Sequence, residues 1–245
     1  MAATAPSEAP SLKLYYWPIN FRGHFIHALL KYAGTPYEVA SVPEMMALKN
    51  PEPAAANPVA FMAPPLLRDG EDYFSQTSAI LGHLGVKTGL APSETRLVTM
   101  CNMVVGNCGD ILNELTRGCG MKRWDVFDLT EFEAFITTRF VRWCKIIEAT
   151  AVRAGLADNK FYLGTDSATY ADTTVFATFA TMAKCLPLID PVLRANMPCV
   201  MSLVDRLGAN PGLKALMAAT DASTYCGGYI EKSLRQVCAS SSLAK

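Results

Sequence analysis

A small α/β domain followed by an all-helical domain is the fold class that the 245-residue sequence predicts. Three observations carry this. Strand, helix, strand, loop, hairpin and helix patterns follow one another within about the first 80 residues, the spacing of a compact α/β unit. After Leu90-Ala91-Pro92-Ser93 the apolar positions recur at helical spacing to the end. All eight cysteines lie beyond residue 100, so the halves differ in composition as well as in period. The expected organisation is a disordered leader over 1–11, an α/β domain over 12–88 and a helical domain over 94–245.

Residues 12–17, LKLYYW, read as a strand that Pro18 and Asn20 end. A helix follows, with an apolar stripe through Phe25, Ile26, Leu29, Leu30 and Ala33 and with Gly34 as its closing C′ residue. On the other side of that helix His24, His27 and Lys31 read as a solvated polar face. A short strand is expected from Tyr37 to Val42, then a long Pro- and Ala-rich loop with a short helix from Glu44 to Ala63. Leu66-Leu67, the turn Asp69-Gly70 and Tyr73-Phe74 make a hairpin. Gln76 to Gly85 resumes a helical pattern through Ile80, Leu81 and Leu84.

Beyond the boundary, helices are expected over 94–118, 129–154, 170–185, 197–208 and 211–219, separated by Gly, Pro and Asn breaks. Thr169-Tyr170-Ala171-Asp172 reads as a capping box opening a charge-free helix over 173–183, the buried spine of the second domain.

Twenty-two basic and 22 acidic residues cancel, so no basic footprint points to nucleic acid or to an anionic membrane. No apolar run approaches the ~20 residues of a membrane span. The segment MAATAPSEAPS lacks the apolar core of a signal peptide. No cysteine pair has Cys-x-x-Cys spacing and all three histidines precede the first cysteine, so no metal site is expected. The cysteines read as free thiols of a reducing, cytoplasmic compartment.

Four segments carry a family resemblance: KLYYWP…RG at 13–23, PLLRDG at 65–70, QTSAILGHLG at 76–85 and FYLG…TYAD at 161–172. In this order and spacing the chain resembles a soluble glutathione transferase from Lys13 onward. Its spacing from Pro65 to Gln76 is similar to the tyrosine-dependent mu, pi and sigma-like classes. The resemblance implies a thioredoxin-like N-terminal domain that binds glutathione as co-substrate, with no metal. It also implies an all-α domain that contributes the pocket for a hydrophobic electrophile, and a cytoplasmic homodimer with a role in detoxification.

It further implies roles for particular residues. Tyr16, followed by Trp17, stands where the family's thiol-stabilising tyrosine is found. Two residues look inserted between Tyr16 and Arg22-Gly23 relative to those classes. In the ungapped frame of serine- and cysteine-type relatives Ile19 takes the position, and Asn20 or a backbone N–H would hold the sulfur instead. Gln76 and Thr77, opening a helix, would bind the γ-glutamyl carboxylate. Lys49 lies in the loop that supplies a cation for the glycyl carboxylate. Pro64-Pro65 marks the family's cis-proline; a cis Pro65 leaves Pro64 without an N–H for the ligand, whereas a cis Pro64 leaves Ala63 with both backbone groups. The electrophile pocket is expected from 103–111 and Trp124, with Tyr225 or Tyr229 as a further wall.

A bound thiol is required in this scheme, because residues 1–100 hold no cysteine that could act from the first helix N-terminus. The function implied is conjugation of glutathione to electrophilic, mostly apolar small molecules. A non-catalytic binding or structural relative, and a glutathione-dependent isomerase or peroxidase, are the alternatives on the same fold.

Overall fold

The computed structural model describes residues 11–49 and 60–244. The leader expected over 1–11 lies outside the described residues apart from Ser11, and so does the middle of the loop expected over 44–63.

The N-terminal part runs β1 (Leu12–Tyr15), α1 (Arg22–Ala33), β2 (Glu38–Val39), α2 (Val42–Lys49), β3 (Leu66–Asp69), β4 (Asp72–Ser75) and α3 (Thr77–Thr88). The sheet order is β2-β1-β3-β4, with β1 parallel to β2 and antiparallel to β3, a thioredoxin-like arrangement. Leu12 and Leu14 of β1 are buried, and the β3–β4 hairpin is present with Asp69 paired to Asp72, so its two turn residues are Gly70-Glu71, one position past the expected Asp69-Gly70. Helix α1 closes on Gly34 in the left-handed region (φ 66°), whose N–H bonds back to the last turn. The second strand is shorter than expected because Ser41 and Glu44 start a helix there. The Ser41 N–H donates to Glu44 Oε2 at 2.8 Å and the Ser41 Oγ lies within reach of the Glu44 N–H, a capping box around Pro43.

The C-terminal part is all helical: α4 (Thr95–Leu115), α5 (Arg117–Gly120), α6 (Thr130–Ala134), a π-helical turn (Phe135–Phe140), α7 (Val141–Ala154), α8 (Tyr170–Cys185), α9 (Ile189–Asn196), α10 (Pro198–Leu207), α11 (Pro211–Ala219), α12 (Gly228–Ser240) and a 3-10 turn (Ser242–Ala244). Helices α9 and α12 were not expected. In α12 only Glu231, Leu234, Val237 and Cys238 are buried, too short a stripe to stand out from sequence. Helix α8 is the spine, buried along nearly its whole length. Its threonine hydroxyls bond back to their own helix, Thr174 to the Tyr170 carbonyl at 2.7 Å and Thr178 to the Thr174 carbonyl at 2.8 Å, which lets polar residues lie in the core. The capping box at Thr169 is present, and Asp172 Oδ1 also accepts the Tyr162 N–H at 2.8 Å.

Helix α1 joins the two parts, packing against α3, α8 and α11. This overturns the solvated face expected for His24 and His27, of which His27 is half-buried and His24 only 4% exposed, while Lys31 is exposed as expected. The cause is the close approach of α11. A Cβ on Gly212 would lie 1.9 Å from the Lys31 carbonyl oxygen, so only glycine allows this spacing.

All eight cysteines are free, six of them buried. No helix among the described residues is long and apolar enough to cross a membrane.

Gly212→Ala should therefore destabilise the chain by about 2–4 kcal/mol, since a backbone carbonyl cannot yield. Gly82→Ala, on α3 where a Cβ meets nothing within 4 Å, should stabilise by about 0.5–1 kcal/mol. Urea denaturation of both variants checks the contrast.

Candidate active site

The strand register brings one end of the sheet together. Tyr15 pairs with Leu66 and Leu66 with Ser75. Continuing both ladders by one residue lines up Tyr16, Pro65 and Gln76 in a row across β1, β3 and β4. On the far side of β1 the Ala40 N–H donates to the Leu14 carbonyl at 2.8 Å, so Val39 to Val42 extend the row.

Tyr16 is 5% exposed and its ring lies on Gly23 in the first turn of α1; a Cβ there would fall 2.2 Å from Tyr16 Cδ1. Burial pushes its phenol well above the ordinary range, against hydrogen bonding from the Gly23 and Arg22 backbone and the nearby Arg22 charge. The hydroxyl therefore stays protonated, the form able to donate. Trp17 is half-buried beside it, and the Ile19 N–H turns back to the Trp17 carbonyl at 2.8 Å.

The proline alternative is resolved: the cis bond is Pro64-Pro65, so Pro65 is the cis residue and Pro64 offers a carbonyl but no N–H. Gln76 is a non-glycine residue at φ 70°, exposed at the end of the row and immediately ahead of α3. Its conformation turns the chain so that Thr77 opens the helix with free N–H groups, an anion-binding end. Lys49 is the last residue of α2.

Asn20 has another employment. Its N–H donates to the Thr224 carbonyl at 2.8 Å, and its Nδ2 to the Asp221 carbonyl at 2.7 Å and to Thr224 Oγ1 at 3.2 Å. Phe21 meets Tyr225 edge-on with ring centroids 6.0 Å apart. The β1–α1 loop is thus clasped to the segment before α12, and Asn20's amide hydrogens are taken.

A cavity of about 350 Å³ opens beside Tyr16, lined by Trp17, Ile19, Asn20 and Val39–Val42, by His24 and His27 of α1, and by Leu216, Ala219 and Thr220 of the α11 end. The residues expected from the helical domain, 103–111 and the aromatics Trp124, Tyr225 and Tyr229, do not line it. Trp124 is buried with its Nε1–H given to the Leu115 carbonyl at 2.9 Å, Tyr225 is 1% exposed, and Tyr229 borders a separate polar cavity with Arg123 and Asp125. Sequence reasoning missed the two histidines as cavity residues, because nothing in their spacing reveals that α11 docks over them. Among the described residues no cluster of three or more metal-ligating side chains forms.

Residues 100–237 match the sequence profile "Glutathione S-transferase, C-terminal domain", and residues 10–85 match "Glutathione S-transferase, N-terminal domain". The chain belongs to the glutathione S-transferase family. No curated protein matches the sequence. Solved transferase structures share the fold. The pi-class glutathione S-transferase of Onchocerca volvulus is 22% identical, covering 89% of this chain and 98% of its own, with a TM-score of 0.72. The glutathione S-transferase of Ascaris lumbricoides is 21% identical, covering 88% and 100%, with a TM-score of 0.67. Prostaglandin synthase D of Nilaparvata lugens is 17% identical, covering 86% and 99%, with a TM-score of 0.67. The N-terminal profile carries glutathione binding with it, and the row of Tyr16, Pro65 and Gln76 lies within its span.

The histidines give this member of the family a pH signature. Burial pushes His24 from the usual 6.5 down to about 3 and His27 down to about 4; protonation of His24 is further disfavoured by the neighbouring His27 and that of His27 by the Lys31 charge. The unfolded chain binds protons that the folded chain refuses, so stability present above pH 6.5 is lost as pH falls toward 4. The melting temperature should already fall between pH 6.5 and about 5, above most carboxylate titrations. His24→Asn with His27→Gln should flatten that slope; an unchanged slope would assign it elsewhere.

Proposed function

We propose that the chain is a glutathione transferase that conjugates the glutathione thiol to electrophilic, mostly apolar small molecules, with Tyr16 stabilising the thiolate. The single observation that supports this is that Tyr16, the cis Pro65 and Gln76 each adjoin the paired triplet Tyr15, Leu66 and Ser75 at one sheet end, next to the helix that Thr77 opens. A free thiol has a pKa of about 8.5, so a few per cent is ionised at neutral pH. Lowering it by about two units needs roughly 2.7 kcal/mol favouring the anion. A protonated, buried phenol aimed at the sulfur supplies much of that, because a hydrogen bond is stronger where water is excluded.

In this scheme the Pro64 carbonyl accepts the cysteinyl N–H, Gln76 and Thr77 hold the γ-glutamyl carboxylate, and Lys49 attracts the glycyl carboxylate. Trp17 walls the sulfur side. Asn20 touches the ligand through its place in the loop, while its amide serves the clasp to Asp221 and Thr224. The tyrosine-dependent, mu, pi or sigma-like class follows from Tyr16, and the fold shared with the pi-class Onchocerca enzyme supports it. Eight free thiols suit a reducing cytoplasm. Exposed Val86 (75%) and Met103 (46%), on α3 and α4, suit a homodimer, and the chemistry suits detoxification.

One observation favours a second reading, a non-catalytic member of the family: Pro64 removes one of two main-chain bonds to the ligand. Conjugation assays with a generic aryl halide separate the two. The wild type should turn over, and Tyr16→Phe should lose about 10–100-fold in kcat/KM near neutral pH, with the bound thiol titrating about one to two units higher. Glutathione binding without turnover in the wild type would sink the enzyme. Full activity in Tyr16→Phe would move the donor to a backbone N–H of the β1–α1 loop.

A further inference from the structure

The cavity beside Tyr16 has a polar wall that thiol activation leaves unused. Its other walls carry Trp17, Ile19, Val42 and Leu216, and the polar side chains of Asn20, Ser41 and Thr220 are given to Asp221 and Thr224, to Glu44 and to Leu216, while His24 and His27 line it from α1. Both imidazoles are neutral, held so by burial.

Their hydrogen-bond partners assign the tautomers. Thr220 has one hydroxyl hydrogen, given to the Leu216 carbonyl at 2.9 Å. His24 Nε2, 3.3 Å from the same oxygen, then carries a hydrogen and donates it. His24 thereby ties the end of α11 to α1. At His27 the Tyr37 hydroxyl lies 2.6 Å from Nδ1 and has no other partner among the described residues. Burial pushes that phenol up to about 12, so it keeps its proton. Donation from Tyr37 to the Nδ1 lone pair satisfies both groups; the reverse assignment strands the phenol hydrogen in a half-buried site. The imidazole hydrogen is therefore on Nε2. That atom has no partner among the described residues, and it is not among the sealed, unpartnered polar atoms of the interior. It is an uncharged N–H donor on a residue lining the cavity that Tyr16 also lines.

We propose that His27, fixed in its Nε2–H tautomer by Tyr37, is the specificity-determining donor for electrophiles whose reacting carbon is conjugated to a carbonyl oxygen. The proposal rests on the transferase reading and names which electrophiles that site prefers. With Tyr16 committed to the sulfur and the other polar side chains given to protein partners, one neutral donor and no cation among the lining residues fit an uncharged molecule with one acceptor oxygen, whereas a carboxylate or phosphate would lose its hydration without gaining a cation.

The step is an addition. The thiolate sulfur forms a bond to the β-carbon, and the π pair of the carbon–carbon double bond shifts toward the carbonyl. Negative charge collects on the carbonyl oxygen, where the His27 N–H donates to it. The α-carbon then takes from water a proton equivalent to the one the thiol released, and the carbonyl is restored. Nothing leaves and nothing is oxidised. The hydrogen bond strengthens as the charge develops, so it acts on the transition state more than on substrate binding.

The test compares two probes on the full-length protein: but-3-en-2-one, which has the oxygen, and benzyl chloride, which has none. The ratio of their kcat/KM values should fall about tenfold or more in His27→Phe. It should recover in part in His27→Gln, which keeps an N–H donor. Tyr37→Phe should lower the ratio too, because the tautomer is no longer set, and it serves if His27→Phe does not fold. An active His27→Phe in which both probes fall together, ratio unchanged, overturns the proposal and leaves His27 a packing residue. A wild type that binds glutathione but conjugates neither probe overturns the transferase reading, and this inference with it.

Discussion

Helix α1 is the member on which the other parts depend, because it is buried on several sides at once. It packs under the sheet with α3, beside the α8 spine, and beneath α11. A helix so enclosed must be small at its points of closest approach. Gly23 accepts the Tyr16 ring, Ala28 is fully buried, and the Lys31 carbonyl meets α11 at Gly212. The position of Tyr16 follows from this packing rather than from the strand alone. Fixing α1 against α8 and α11 fixes Gly23, and Gly23 leaves one place for the phenol ring.

The same enclosure explains how two domains share one site. The N-terminal part supplies the row at the sheet end, and the C-terminal part supplies the cavity wall beyond it. Asn20 and Phe21 join them through Thr224 and Tyr225. Behind this clasp, Glu231 accepts the Tyr225 N–H at 2.9 Å and the Gly227 N–H at 2.8 Å, and pairs with Arg235 at 2.5 Å. Arg235 in turn reaches the Cys185 carbonyl at the end of α8 at 3.0 Å. The C-terminal helix is therefore connected to the β1–α1 loop through hydrogen bonds that meet at the adjacent residues Thr224 and Tyr225.

Much of the architecture was legible in the residues. Local signals were read correctly where the physics is local: the hairpin of β3 and β4, the C′ role of Gly34, the Thr169 capping box and the buried run of α8. The expected strand to Val42 overran, because Ser41-Val42-Pro43-Glu44 forms a capping box that competes with the strand. The candidate site was only partly legible. Tyr16, Gln76 and the proline pair stand where the family pattern sets them, but which proline is cis depends on backbone packing. His24 and His27 look like a wet helix face until α11 covers them, and that contact links residues 196 positions apart. The burial of Tyr225 and Trp124 is equally non-local, since it depends on where α12 and the loop after α4 come to rest.

Pro64 bears on how the proposed thiol peptide is selected. With a carbonyl but no N–H, the backbone at the cis bond can hold the middle of a bound peptide through one hydrogen bond where an ordinary residue could offer two. In the proposed binding mode the free energy of recognition would shift outward, to the helix N-terminus at Gln76 and Thr77 and to Lys49 at the end of α2. A molecule gripped at its two ends is measured by its span. Such a site works as a ruler, favouring thiol peptides of one length and releasing those that lack either terminal carboxylate.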